Sequence, residues 1–139
     1  MMKRIGILVL TVLLGSFSAM AQNENTQEEK EAKRPVISFK KTTHNYGTIE
    51  YKGDGTCEFT FENTGEEPLL LTKVRSSCGC TVPKTWPKDP IKSGETGSIK
   101  VKYNTRIKGN FTKSIRVYSN AKNSPTRLII KGKVLMNKK

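Results

Sequence analysis

The sequence predicts an all-β domain built as a two-sheet sandwich of about seven short strands. Three observations carry this. Apolar and polar residues alternate with a period of two through most of residues 35–135, helical spacing is scarce there, and clusters of Gly, Asn, Asp, Ser and Pro separate the runs.

The first residues address the compartment. Lys3 and Arg4 precede an apolar run from Ile5 to Phe17, and Ala19-Met20-Ala21 supplies the small-x-small pattern that signal peptidases cut after. Residues 1–21 are expected to be a secretory signal peptide, because the run is shorter than the roughly 20 apolar residues a membrane span needs. No cysteine stands at the cleavage point for a lipid anchor. The expectation is an exported chain, in the periplasm or at the cell surface, with no membrane anchor after cleavage. Residues 22–34, "QNENTQEEKEAKR", offer only Ala32 to a core and read as a flexible polar tether. Residues 35–139 then form one sandwich domain.

Each run within that domain has its own pattern. "VISFKKTTHNYGTI" reads as an edge strand broken near Thr42 and resumed toward Ile49. "CEFTFEN" places Cys57, Phe59 and Phe61 on one face against Glu58, Thr60 and Glu62. Pro68 to Val74 is more evenly apolar, which predicts a central strand covered on both faces. Between Cys80 and Gly94, Pro83, Trp86, Pro87 and Pro90 predict a long irregular stretch. "SIKVKYN" turns Ile99, Val101 and Tyr103 inward, and "SIRVYS" does the same with Ile115 and Val117. "RLIIKGKVL" can bury Leu128, Ile130 and Val134, while Gly132 marks a bulge or a close backbone approach.

Charge narrows the partners. The chain holds 25 Lys and Arg against 12 Asp and Glu; five of the basic and four of the acidic residues precede Pro35, which leaves 20 against 8 in the domain. Such an excess attracts anionic surfaces. For an exported chain these are lipid head groups, acidic glycans and cell-wall polymers, and no helix-turn-helix pattern, zinc-finger spacing or aromatic platform speaks for nucleic acid. Lys113, Arg116, Arg127, Lys131 and Lys133 fall on the last two strands, with Arg116 and Lys131 on one outer face. This face is either an ordinary solvated surface or a docking surface. Trp86, between Pro83 and Pro87, is a candidate binding anchor or a lid over the core.

Cysteines are the remaining chemistry. Cys78 and Cys80 flank Gly79 in "SSCGCT", and Cys57 is the third. Three pairings are open, each leaving one thiol, and in an exported chain a disulfide is the expected fate of a nearby pair. Cys78 can reach Cys80 only if the chain turns at Gly79. If the strand after Cys57 and the strand before Cys78 run in opposite senses, Cys57 lies near the pair. A thiolate pair also suits Cu(I) or Zn(II), but His44 is the only histidine and a structural zinc site takes four ligands. Lys73, Arg75 and Lys84 near the pair favour the reactive thiolate, so a redox role stands beside the structural one. Other enzyme signatures are missing: there is no nucleophile elbow, His-Glu-x-x-His helix or phosphate-cradling loop.

The segments "HNYGTI", "FTFENTGEEPLLLTKVRSSCGCTVP", "PIKSGETGSIKVKYNT", "GNFTKSIRVYSN" and "LIIKGKV" together resemble the bacterial DUF1573 family of small exported proteins over residues 36–135. Asn45-Tyr46 stands where the family pattern leads one to expect Asp-Phe, and Cys57 is an addition. The resemblance implies an immunoglobulin-like sandwich similar to the Hydin and major-sperm-protein group, whose members mostly bind and scaffold. It implies no cofactor and no activity. The functional expectation is a non-enzymatic envelope binding module for a protein or an anionic polymer, with a thiol site at Cys78 and Cys80 as the alternative.

Overall fold

The computed structural model describes residues 24–136. A helix α1 (Glu24–Lys33) precedes eight strands: β1 (Ile37–Phe39), β2 (Thr43–Ile49), β3 (Thr56–Asn63), β4 (Leu71–Ser76), β5 (Thr81–Thr85), β6 (Thr96–Tyr103), β7 (Gly109–Ser119) and β8 (Thr126–Val134). They form two four-stranded sheets, sheet A in the order β1-β3-β6-β5 and sheet B in the order β2-β8-β7-β4. All pairings are antiparallel except β2 with β8. This is an immunoglobulin-like sandwich, with one more strand than the expected seven. The signal-peptide segment lies outside the described residues.

The alternating residues meet between the sheets as their period requires. Sheet A contributes Phe59, Phe61, Ile99, Val101 and Tyr103, and sheet B contributes Ile115, Val117, Leu128, Ile130 and Val134, all buried. Tyr103 of sheet A stacks on Phe111 of sheet B, with ring centroids 3.7 Å apart and planes 11° from parallel. Gly132 is a close backbone approach: a Cβ there would sit 3.0 Å from the Tyr46 Cβ and 3.1 Å from the Gly47 carbonyl oxygen.

Four expectations change. Pro68–Val74 is not a central strand, because β4 begins only at Leu71 and lies at the edge of sheet B. The apolar run has another cause: Leu69 bonds Ile91 through both backbone groups and plugs the space between the sheets, fully buried. The stretch after Cys80 is not irregular throughout, since β5 pairs with β6 there, and Pro83 is tolerated because β5 is an edge strand. The first run breaks near Thr42 and resumes to Ile49 as expected, but its halves are edge strands of different sheets, β1 of sheet A and β2 of sheet B, so the chain changes sheets across residues 40–42. The segment expected as a flexible tether holds α1. Its side chains from Thr26 to Lys33 are exposed, and Lys33–Glu29 and Arg34–Glu31 ion pairs of 2.6 and 2.9 Å support it along the helix surface. Composition correctly denied this segment a core face, but such local pairs need none.

A hub of backbone bonds fixes one end of the sandwich. The Asn63 side chain is buried and uses its full capacity of four hydrogen bonds. Its Nδ2 donates to the Glu67 and Ile91 carbonyls at 2.8 and 3.0 Å, and its Oδ1 accepts from the Gly65 and Val36 amides at 3.0 and 3.4 Å. The Ser93 hydroxyl donates to the Gly65 carbonyl at 2.6 Å. The "NTG" and "SGE" segments are therefore one structural lock.

Candidate functional site

Two features meet where the chain passes from sheet B to sheet A: the turn between β4 and β5, and the outer face of sheet B. The turn carries Cys78 and Cys80. Their α-carbons are 5.4 Å apart and their sulfurs lie close together. The Ser76 hydroxyl donates to the Cys78 carbonyl at 2.7 Å, and the Cys80 amide points at the Cys78 sulfur at 3.3 Å. Backbone bonds hold the turn to both sheets, from the Ser77 amide to the Ser114 carbonyl (2.9 Å) on β7 and from the Asn104 amide to the Cys80 carbonyl (2.8 Å) beyond β6.

Cys57 does not join them. It is a free, buried thiol on β3, and its hydrogen-bond neighbour is the Tyr46 side chain. Burial pushes the Cys57 thiol up, an effect the Tyr46 hydrogen bond only partly offsets. The Tyr46 hydroxyl in turn donates to the Gly55 carbonyl at 2.6 Å, and burial pushes its ionisation out of reach. His44 packs edge-on to Tyr46, with centroids 4.5 Å apart, and burial together with Lys41 lowers its proton affinity. Among the described residues, no three His, Cys, Asp or Glu side chains come together as a ligand set.

The outer face of sheet B is the stronger electrostatic feature. No Asp or Glu occurs in β2, β4, β7 or β8. The pleat turns Lys73 and Arg75 of β4, Arg116 of β7, and Arg127, Lys131 and Lys133 of β8 outward, all exposed. Register makes three of them a row, because Arg75 lies opposite Arg116 and Arg116 lies opposite Arg127. Directly opposed residues stand about 5 Å apart at Cα, and like charges so placed repel. Sheet A shows the usual arrangement instead, with Glu58 opposite Lys100. The ion pairs found among the described residues lie at α1, so none relieves this row.

Beside the row is a shallow depression of about 290 Å³ lined by Arg75, Ser76, Ser77, Ser114, Arg116 and Tyr118. The Ser77 hydroxyl accepts from the Ser114 amide at 3.3 Å, which leaves its O–H free to donate outward. The structure places Arg116 and Lys131 on one outer face, sets Arg127 and Lys133 on it with them, and adds Lys73 and Arg75. The sequence pointed to Arg75 only as a flank of the cysteines, since its place opposite Arg116 depends on a pairing between strands distant in sequence. Lys113, also expected in this set, is on the inward side of β7 opposite Ile130.

Trp86 belongs elsewhere. It follows β5 of sheet A, is half-buried against the core, and carries the Lys88 ammonium 3.2 Å from its ring centroid. Its indole N–H is buried without a partner. Trp86 is not part of the cationic face.

Among known structures, the chain is similar to a protein of unknown function from Porphyromonas gingivalis, with 16% identity and a TM-score of 0.65 over 74% of this chain and 48% of that one. It is also similar to the secreted serine protease VesC of Vibrio cholerae, with 13% identity and a TM-score of 0.58 over 84% and 26% of the two chains. A PapD-like domain of human CEP192 gives 10% identity and a TM-score of 0.61 over 88% and 98%. The chain spans less than half the length of the two bacterial proteins. At these identities the likeness is one of fold, an immunoglobulin-like sandwich of the PapD-like kind. No curated protein matches. Residues 37–134, from the first strand to the last, match the family described as "Protein of unknown function (DUF1573)", and the chain belongs to that family.

Proposed function

We propose that this chain is an exported, non-enzymatic binding module of the bacterial cell envelope, and that the outer face of sheet B docks it to an anionic envelope polymer. One observation carries the reading: six exposed cations share a sheet whose strands contain no carboxylate. A solvated face ordinarily mixes both signs, as sheet A does with Glu58 and Lys100. Export rests on Lys3, Arg4, the apolar run and Ala19-Met20-Ala21. The test is retention on purified anionic envelope polymer at low and high salt. Salt-sensitive retention that falls when Lys131 and Lys133 become Gln supports the reading, and retention indifferent to salt and to both substitutions overturns it.

A second reading has its own observation, the contact between the Cys78 and Cys80 sulfurs at a half-exposed turn. We assign this pair as a disulfide that shapes the turn, and thiol exchange or metal binding is the alternative role of the same two residues. Alkylation under non-reducing denaturing conditions, followed by peptide mapping, decides between them. Label on Cys57 alone supports the staple, whereas label on both Cys78 and Cys80 removes it.

A further inference from the structure

We propose that the depression between Arg75 and Arg116 is a binding site for a phosphate group carried by the docked polymer. The inference deepens the reading of sheet B as a docking face and rests on it for the polymer, though not for the phosphate.

The argument starts from what the row costs and what it offers. Two guanidinium groups on neighbouring strands, with a third beside them, repel one another unless an anion sits among them. The fold places no carboxylate in these strands, and the ion pairs among the described residues lie at α1, which leaves the row open to an anion from outside. Arginine presents a planar fork of donors suited to carboxylate or phosphate, and more weakly hydrated than an ammonium. A carboxylate has two oxygens, which a single fork satisfies. Here two arginines line one depression together with the hydroxyl-bearing residues Ser77, Ser114 and Tyr118. A tetrahedral oxyanion, with up to four oxygens pointing in different directions, uses that donor set more fully. The Ser77 hydroxyl is held in place by the Ser114 amide, and the Ser77 amide by the Ser114 carbonyl, so this part of the site is ordered before any ligand arrives.

The same geometry gives the site an approach. Arg127 and Lys131 are four residues apart on β8, about 13 Å along a strand. Lys133 continues the line on the same face. A ligand with phosphates repeated along a flexible backbone can anchor one group between Arg75 and Arg116 and lay others near Lys131 and Lys133.

The test titrates the full chain with inorganic phosphate, sulfate and acetate at constant ionic strength, following backbone amide shifts by NMR. Phosphate is expected to give saturable shifts centred on Arg75, Ser77, Ser114 and Arg116, with sulfate similar and acetate at least tenfold weaker. Arg116→Gln is expected to weaken phosphate at least tenfold while its thermal midpoint stays at or above the parent value, which separates lost binding from lost folding. Lys131→Gln should leave phosphate affinity within twofold. Shifts that never saturate, that spread evenly over the basic surface, or that persist in Arg116→Gln overturn the site, as does acetate binding as well as phosphate. Polymer retention surviving in the Arg75→Gln, Arg116→Gln double variant overturns the phosphate anchor and leaves the broader docking face standing. Saturable phosphate binding without polymer retention supports the site and removes the docking reading instead.

Discussion

Replacing Asn63 by Ala deletes the hub that joins three stretches of chain, at Val36, at Gly65 and Glu67, and at Ile91. The side chain makes three hydrogen bonds of 2.8 to 3.0 Å and a longer one of 3.4 Å, all to backbone groups. Each ordinary bond contributes about 1 kcal/mol net, and a partner left buried and unpaired costs about as much or more. Three such bonds place the loss at about 3 kcal/mol, with the longer bond adding little. For a domain of this size that corresponds to a fall in thermal midpoint on the order of 10–20 °C. Urea and thermal unfolding followed by circular dichroism measure it. Asn63→Asp sharpens the test, because it keeps the oxygen that accepts from the Gly65 and Val36 amides but turns a second carboxylate oxygen, in place of the donating Nδ2, toward the Glu67 and Ile91 carbonyls. Burial against those oxygens raises the pKa of the new acid above its unfolded value of about 3.9, so the variant is least impaired below that pH and loses stability as pH rises. A loss below about 1 kcal/mol for Asn63→Ala, or an Asn63→Asp variant equal to the parent at pH 7, would refute the hub.

Three further outcomes follow from the same structure. Arg116→Thr, which relieves the row and keeps a strand-forming side chain, should raise stability by about 0.5 kcal/mol at low salt, with the gain shrinking as salt is added; chemical denaturation at two ionic strengths checks this. Burial keeps the Cys57 thiol protonated. In the native protein at neutral pH it should therefore resist alkylation and become labelled only on unfolding, and rapid native labelling read by mass would contradict the packing. His44 has its pKa lowered by burial and by Lys41, so the unfolded chain binds a proton that the folded chain resists. Stability should accordingly decline as pH falls through about 6.5 toward the folded value, and His44→Gln should flatten that part of the profile.

Much of the sandwich was legible because its cause is local. The alternation at Cys57, Phe59 and Phe61, and again at Ile99, Val101 and Tyr103, assigns each residue to a face without knowledge of its partners. What escaped depends on partners. Leu69 and Leu71 look like part of a central strand, yet Leu69 is buried by its bridge to Ile91, 22 positions later by number. Pro83 argues against a strand unless that strand is known to be at an edge, which β5 is. The site followed the same rule. Arg116 and Lys131 could be placed on one face from pattern, but the row through Arg75, Arg116 and Arg127 is a product of register across three strands. Cys78 and Cys80 were visible as a pair, while the isolation of Cys57 required its burial on β3.

The order of sheet B also constrains the order of events when the chain is made. Its two middle strands, β7 and β8, are the last to be synthesised, and its two outer strands, β2 and β4, are made long before. Until β8 appears, β2 has no neighbour to pair with, because Thr43 waits for Ile129. Sheet A can assemble β1, β3, β5 and β6 earlier, but its apolar face stays uncovered in the meantime. The domain therefore cannot ripen piecemeal from its beginning. Sheet B closes only when its final strand, β8, arrives, and that closure is what covers the apolar face of sheet A.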